Sequence, residues 1–88
     1  MAKFHFSLVA PERELYAGEV DQVDAPGAEG DFGVMSGHEP FMTTLKPGQV
    51  IVRDGERRRI FTIEGGFADV TPESFTLLAE SATEATVQ

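Results

Sequence analysis

The sequence predicts an all-β protein, a small β-sandwich or barrel of roughly ten short strands. Short runs of β-branched and aromatic residues recur between glycine and proline punctuation. No stretch of helical length keeps apolar residues at the i, i+3, i+4 spacing of an amphipathic helix. With 88 residues and no cysteine, the chain is expected to form one domain with a modest core and no disulfide framework.

The opening segment predicts a strand with one buried face, because apolar and more polar positions alternate with a period of two. We expect Phe4, Phe6 and Leu8 on the buried side and His5 on the more polar side. Pro11 and the charged residues after it end this strand.

A short second run covers Leu15–Ala17, and the alternation then fails between Glu19 and Ala25. Val20 and Val23 would lie on opposite faces of an ideal strand. We therefore expect a bulge at this place, or a strand that is covered on both sides.

The segment Pro26–Pro40 is predicted to be an irregular loop that contains one brief strand, Phe32–Met35. Its many glycines, its prolines and its charged residues set the shape of the backbone, which favours a binding surface. A merely flexible connection is the alternative. The charged residues of this segment are Glu29, Asp31, His38 and Glu39.

The second half of the chain is punctuated by turns. Asp54-Gly55 predicts a type I′ hairpin between two apolar runs, 50–52 and 60–63. Lys46-Pro47-Gly48 closes an extended segment at Phe41–Leu45, with proline at a favoured turn position. Gly65-Gly66 predicts another sharp bend, and Phe67–Val70 the strand after it.

The turn Thr71–Ser74 leads into a predicted last strand, with Phe75, Leu77 and Ala79 on one face. From Ser81 onward small and polar residues dominate and no core pattern continues. We therefore expect one domain over residues 1–80 and a C-terminal tail over residues 81–88.

The net charge of −8 argues against binding to nucleic acid or to anionic lipid, because both would repel an acidic chain. The first residues resemble neither a secretory leader nor a transit segment, and no apolar stretch is long enough to span a bilayer. We expect a soluble, unprocessed chain that reaches a membrane only through another protein.

A search for chemistry finds no catalytic residue, no metal site and no cofactor. Ser36 and His38 could form a hydrolase site with a nearby carboxylate, but the pattern lacks a nucleophile elbow, and a loop histidine facing solvent or a partner is preferred. The two histidines lack ligand spacing, and no phosphate-binding glycine loop is present.

Two further groups of residues have both a structural and a functional interpretation. The arginines Arg57–Arg59 could bind phosphate or carboxylate, but charges just past a hairpin tip that discourage edge aggregation are preferred. Four phenylalanines at strand spacing are predicted to be core and not a ligand-stacking platform. They are Phe4, Phe6, Phe61 and Phe75.

The order of several short motifs resembles the epsilon subunits of bacterial F-type ATP synthases. The run Gly30–Phe41 contains Gly-Asp-Phe-Gly and Gly-His-Glu-Pro; Lys46-Pro47-Gly48 and Gly65-Gly66-Phe67 follow it, and Glu12–Gly18 precedes it. These motifs occur in the family's order and with its spacing over nearly the whole chain.

The resemblance implies a flattened β-sandwich. It also implies a non-catalytic subunit of the central stalk that joins the gamma subunit to the c-ring and couples proton-driven rotation to ATP synthesis. It implies a place on the cytoplasmic side of the bacterial inner membrane, reached through the complex. The c-ring-facing surface is expected to include Glu29, Asp31 and His38. The gamma-facing surface is expected to include Phe41, Thr43, Gly65, Gly66 and Phe67.

One departure from the family pattern concerns the C-terminus. Epsilon subunits normally continue into two helices that can inhibit ATP hydrolysis, and the tail 81–88 has no length for them. Inhibition by such helices is therefore not expected of this chain. The remaining alternative to the stalk role is a generic β-sandwich module that binds a ligand or a partner.

Overall fold

The computed structural model describes residues 2–85, in which a single sheet curls into a flattened sandwich. The predicted all-β class and the number of strands are confirmed. Within this range no helix is long and apolar enough to cross a membrane. The ten strands are β1 (Phe4–Ala10), β2 (Arg13–Val20), β3 (Gln22–Gly27), β4 (Gly30–Met35), β5 (Phe41–Leu45), β6 (Gly48–Asp54), β7 (Arg57–Ile63), β8 (Gly66–Val70), β9 (Ser74–Ala79) and β10 (Ala82–Ala85).

The strands follow the order β10-β7-β6-β3-β5-β8-β9-β1-β2, and β4 pairs with β3 beside this path. We call β5, β8, β9, β1 and β2 the first layer, and β10, β7, β6, β3 and β4 the second layer. All pairs are antiparallel except β1 with β9. The layers are joined where β3 leaves β6 and pairs with β5 through Gly27 and Leu45 alone.

The core lies between the layers and is entirely apolar. The predicted alternation in β1 is confirmed, since Phe4, Phe6 and Leu8 are buried and His5 is exposed. Aromatic rings cross the core in contact, and the centroid of the Phe6 ring lies 5.1 Å from that of Phe75. On the open side of the sandwich, Tyr16 of β2 packs edge-on against Phe61 of β7 at 6.2 Å. The four phenylalanines predicted to be core are all buried.

The predicted loop over the first part of Pro26–Pro40 is wrong. Pro26 and Gly27 belong to β3 and pair with Asp31 and Gly30 of β4, so that this segment is a hairpin. Proline has no N–H to donate to a neighbouring strand, so it is rare in the middle of a sheet. Pro26 lies between the part of β3 that pairs with β6 and the residue that pairs with β5. Its carbonyl still accepts a hydrogen bond from the Lys46 N–H at 2.9 Å.

The predicted irregularity between Glu19 and Ala25 has a different cause from a bulge. Val20 ends β2 and Val23 lies in β3, and the chain bends between them at Asp21, so both valines are buried from separate strands. The register shift in this part of the sheet lies instead between Leu8 and Val9, where β1 pairs with β2. A change of strand resembles a bulge in sequence because both interrupt the alternation.

The predicted hairpin between β6 and β7 is present, but its turn lies one residue further along the chain. Asp54 pairs with Arg57, which leaves Gly55 and Glu56 as the two turn residues. Gly55 has a φ of +64°. Every residue with positive φ in the described chain is a glycine, so the φ of Glu56, the second turn residue, is negative. Positive φ at the first turn residue alone is the type II′ pattern and not type I′.

The segment after Ser81, expected to have no core pattern, contains strand β10. Residues 82–85 pair with Ile60–Ile63 of β7. This strand is held by backbone pairing and by an ion pair between Glu84 and Arg59, and it shows little of the apolar alternation that marks the other strands. The last part of the expected tail, residues 86–88, lies outside the described residues.

Candidate interaction surfaces

The β3–β4 hairpin ends in an exposed charged surface, which we call the acidic tip and define as Glu29, Asp31 and Lys46. Glu29 lies in the turn, and Asp31 is the second residue of β4. The Asp31 side chain is 78% exposed and its Oδ1 lies 3.6 Å from the Lys46 Nζ. An ion pair this exposed contributes little to folding, so both charges are available to a partner.

The backbone beneath the acidic tip is held firmly. The N–H of Ala28 donates to the Thr44 carbonyl at 2.9 Å, which ties the turn to β5. A Cβ at Gly27 would lie 2.5 Å from the Gly30 carbonyl oxygen, and a Cβ at Gly48 would lie 2.9 Å from the Pro26 ring. The glycines therefore allow close backbone approach, and the tip is a rigid structure and not a flexible connection.

His38 lies in a separate loop, residues 36–40, at the opposite end of β4. Its ring packs on Phe41 with centroids 5.1 Å apart, and its Nδ1–H donates to the Glu39 carbonyl at 2.9 Å. A strand rises about 3.3 Å per residue, which places Met35 about 13 Å from Asp31 and the histidine loop further away. The structure therefore brings Glu29 and Asp31 together but not His38.

Of the residues expected to face gamma, the structure places some inside the sandwich and one on its outer surface. Phe41 and Thr43 are half-buried and lie on the same face of β5 as buried Leu45, so they point toward its inner side. A Cβ at Gly66 would lie 2.1 Å from the Leu78 carbonyl oxygen, so the missing side chain admits this chain's own β9. Gly65 is buried beside it. Phe67 is the one member of this group that lies on the outer side, because it is on the face of β8 opposite to the buried Ala68 and Val70.

Phe67 belongs to a larger apolar surface on the outside of the first layer. Phe67 pairs across the strands with Leu78, and Leu78 pairs with Val9. Leu78 is 49% exposed, and Met42, on the outer side of β5, is 65% exposed. We call Val9, Met42, Phe67 and Leu78 the apolar face. Val9, Leu78 and Phe67 are direct neighbours across the strands, whereas Met42 lies opposite exposed Asp69 and is only a diagonal neighbour of Phe67. Exposed apolar residues grouped in this way mark interaction sites.

The apolar face was not predicted, although the sequence contains a signal for it. Leu77 and Leu78 are consecutive leucines in one strand. Because successive side chains of a strand point to opposite faces, one of the two must lie outside if the other lies in the core. The structure buries Leu77 and exposes Leu78.

A serine, a histidine and a carboxylate do meet in this structure, but at another place than Ser36 and His38. The Ser7 Oγ lies 3.2 Å from the His5 Nε2, and the His5 Nδ1 lies 3.3 Å from the Glu19 Oε2. This is the order of a catalytic triad. The set lies on an exposed strand whose two edges pair with β2 and β9, so neighbouring backbone N–H groups serve the sheet and not an oxyanion hole.

The three consecutive arginines have different surroundings. Arg59 forms a bidentate pair with Glu84, at 2.8 Å from Nε and 2.7 Å from Nη2, and its guanidinium lies 5.0 Å from the centre of the Tyr16 ring. The hydrogen bond from Arg59 lowers the pKa of Glu84, and the same bond raises the pKa of Arg59. Arg57 and Arg58 are exposed at the start of β7. The edge-protecting interpretation therefore does not describe Arg59, which fastens β10 to β7.

Comparison with known proteins assigns the family. Residues 3–85 match the model of the ATP synthase delta/epsilon chain β-sandwich domain. An ATP synthase epsilon chain of Caulobacter vibrioides is 68% identical over 85 residues, which cover 97% of this chain and 99% of that protein. One of Hyphomonas neptunium is 60% identical over 91% of this chain but only 60% of its own length. The chain thus spans nearly the whole of the first relative and about three fifths of the second.

Two solved assemblies contain chains with the same fold. In a cryo-EM structure of the Euglena gracilis mitochondrial ATP synthase OSCP, F1 and c-ring, one chain superposes with a TM-score of 0.89 at 25% identity, covering 96% of this chain and 54% of that chain. In the central stalk and c-ring of the Tetrahymena thermophila enzyme, the TM-score is 0.78 at 16% identity, with coverage of 93% and 66%. The match over residues 3–85 and the relatives at 60% identity or more show that this chain belongs to the ATP synthase epsilon-chain family.

Proposed function

We propose that this chain is a non-catalytic subunit of the central stalk of an F-type ATP synthase, where it joins the gamma subunit to the c-ring. Rotation driven by proton flow through the ring then passes to gamma without slipping. The observation that carries the proposal is the presence of two exposed surfaces of different chemistry, the acidic tip and the apolar face, on one rigid sandwich. A coupling element requires such a body.

The acidic tip is the surface we assign to the c-ring. Glu29 and Asp31 present carboxylates that can pair with basic or amide groups on the polar loops of a ring. Charged contacts of this kind contribute orientation and association rate more than affinity. The hydrogen bonds from Ala28 and Lys46 to neighbouring strands hold the tip in place, so that a lateral force on it is transmitted to the sandwich.

The apolar face is the surface we assign to gamma. Leu78 and Met42 would lose water-exposed apolar area on contact with another subunit, which favours a stable joint. Phe67 stays in the proposed gamma-facing surface, and Phe41, Thr43, Gly65 and Gly66 act from beneath it by shaping β5 and β8. His38, expected on the c-ring-facing surface, is separated from the acidic tip by the length of β4 and packs on the inward-pointing Phe41, so we assign it to neither surface.

The same proposal places the chain on the cytoplasmic side of the bacterial inner membrane, held there through the complex. No reaction is assigned to the chain itself. The only arrangement of catalytic type within residues 2–85 that we identify, Ser7, His5 and Glu19, is exposed and lacks backbone donors for a developing oxyanion. Exchange of these residues is therefore not expected to affect ATP turnover by the complex.

Co-purification with the gamma subunit and the c-ring of the same organism tests the proposal. We expect a stoichiometric complex with both partners. Leu78→Asp should abolish retention of gamma, because the new carboxylate would be buried without a partner in an apolar joint. Thr62→Asp, on an exposed position of β7 in the second layer, is the matched control and should retain gamma. A wild-type chain that binds neither partner would refute the stalk function.

A further inference from the structure

The outer side of the β6–β7 hairpin carries four side chains that the proposed stalk role does not use. The strand register places Ile51 opposite Ile60 and Arg53 opposite Arg58. All four alternate with buried residues of the same strands, so they point away from the core. We call Ile51, Arg53, Arg58 and Ile60 the arginine face. It lies on the second layer, whereas the apolar face lies on the outside of the first layer.

The pairing of Arg53 with Arg58 is unfavourable for the hairpin itself. Like charges directly opposite one another on a sheet face destabilise it, because the side chains lie within about 5 Å at Cβ. Arg53 has a weak partner in Asp24, with Nε 3.4 Å from Oδ2, and that carboxylate also accepts from the Gln22 amide at 2.8 Å. Arg58 takes part in none of the ion pairs formed among residues 2–85.

The basic residues of this acidic protein are concentrated around the arginine face. The chain has seven basic residues and a net charge of −8. Five of the seven belong to this hairpin or contact it, since Lys3 pairs with Asp54 at its end. These five are Lys3, Arg53, Arg57, Arg58 and Arg59. Acidic residues are equally numerous there, because Asp54 and Glu56 belong to the hairpin and Asp21, Asp24 and Glu84 contact it. The attraction for an anionic group therefore depends on the two opposed guanidinium groups of Arg53 and Arg58 and not on a net positive field. The charge of the whole chain repels nucleic acid.

We propose that the arginine face docks an acidic segment of a partner protein. Its carboxylates pair with the guanidinium groups of Arg53 and Arg58, which bind carboxylates bidentately, and one apolar side chain covers Ile51 and Ile60. The half-buried isoleucines favour a protein segment over a simple anion, because inorganic anions offer no apolar contact. Docking also neutralises the repulsion between the two arginines. The inference does not depend on contact with gamma or the c-ring.

A defined peptide can test this docking. The probe is a fluorescein-labelled hexapeptide of alternating Glu and Leu, and its counterpart with Gln in place of Glu is the uncharged comparison. Binding is measured by fluorescence anisotropy and located by amide chemical-shift changes in the NMR spectrum of the labelled chain. We expect the acidic peptide to bind with shifts concentrated in residues 51–60, and the Gln peptide to bind at least about tenfold more weakly.

Arg58→Glu gives the sharper test, because docking and folding should respond in opposite directions. The acidic peptide should bind at least about tenfold more weakly. The Tm should rise by about 1 to 4 °C, because the new carboxylate lies opposite Arg53 and replaces a repulsion by an attraction. Arg13→Glu, an exposed position of β2, changes the net charge equally and should leave peptide binding within about twofold of wild type.

Three results would overturn the proposal. Equal loss of binding in Arg58→Glu and Arg13→Glu would show that only net charge matters. Shifts outside residues 51–60 would place the peptide on another surface. Inorganic tripolyphosphate that binds as tightly as the acidic peptide would identify a general anion site in place of a protein-docking face.

Discussion

The β3–β4 and β6–β7 hairpins have the same construction and opposite charge. Both lie in the second layer and both turn in two residues, Ala28-Glu29 in the first and Gly55-Glu56 in the second. The first presents carboxylates at the acidic tip, and the second presents exposed arginines. A similar backbone thus presents surfaces of opposite charge, since side chains on an exposed hairpin change with little cost to the fold.

The two hairpins differ in what holds them. The β3–β4 hairpin depends on backbone approach that only glycine permits, because a Cβ at Gly27 would overlap the Gly30 carbonyl oxygen at 2.5 Å. At the turn of the β6–β7 hairpin, a Cβ on Gly55 would meet open space, and glycine is needed only for its positive φ of +64°. The N–H of Gly55 donates to the Asp21 carboxylate at 2.6 Å. Substitution of Gly27 is therefore limited by packing, and substitution of Gly55 is limited by backbone conformation.

Gly27→Ala is expected to have the largest effect on stability. It should lower the free energy of unfolding by about 2 to 4 kcal/mol, since β3 and β4 must separate to admit the methyl group. Gly55→Ala, the matched change in the other turn, should lower the free energy of unfolding by only about 1 to 2 kcal/mol. Alanine is strained at a left-handed φ, but its methyl group would contact no other atom. Urea unfolding measures both. Equal costs would contradict the difference between the hairpins.

Asp31→Arg tests whether the two hairpins differ in their contribution to c-ring binding. The change removes the pair with Lys46 and repels basic groups on a ring, and we expect the affinity for the c-ring to fall by about 1 kcal/mol, or roughly fivefold. Glu56→Arg makes the same change of charge in the β6–β7 turn and should not weaken this binding. ATP-driven proton pumping in membrane vesicles reads out the coupling. Coupling that is unchanged by Asp31→Arg would count against the assignment of the acidic tip.

Glu84→Gln has the smallest expected effect and tests the clamp that fastens β7 to β10. Because Arg59 lowers the pKa of folded Glu84, the clamp stabilises the protein above the ordinary glutamate pKa of 4.5 and is lost as pH falls through the depressed value. The pair is exposed, so we expect a difference from wild type of about 0.5 kcal/mol at pH 7.

Urea unfolding at pH 7 and at successively lower pH values measures this difference. The gap between wild type and Glu84→Gln should close in acid, when the wild-type carboxylate is also protonated. Glu64→Gln, an exposed carboxylate outside the ion pairs formed by residues 2–85, should show no such pH-dependent gap. A gap that persists unchanged at low pH would show that Glu84 acts through something other than its charge.

The hairpins also show how far sequence reasoning reaches. The β6–β7 hairpin was predicted because Asp54-Gly55 stands between two apolar runs, and only the position and the type of its turn were wrong. Over the β3–β4 hairpin the sequence predicts a loop with one brief strand, Phe32–Met35, because Pro26 and Gly27 are typical of turns. They belong to a strand here because β3 changes partner at that place, and no local pattern reports a change of partner.

The candidate surfaces divide in a similar way. Glu29 and Asp31 were predicted from the glycine-rich motif and do lie together, whereas His38 was separated from them by the length of β4. Gly65 and Gly66 were expected on the gamma-facing surface, but a Cβ at Gly66 would meet the backbone of β9, and a Cβ at Gly65 would lie 3.4 Å from the Leu45 carbonyl oxygen of β5. The apolar face depends on the lateral order of β5, β8 and β9, which brings residues distant in sequence side by side.

The sequence by itself determined the all-β class, the buried faces of β1 and β9 and the family resemblance. These depend on side-chain alternation, on turn residues and on motif order, all of which are local in the chain. Only the tertiary structure decided that Pro26 and Gly27 pair within a strand, that residues 82–85 form β10, and which exposed groups share a surface. Strand pairing is non-local, and its partners are chosen by the packing of the whole sandwich.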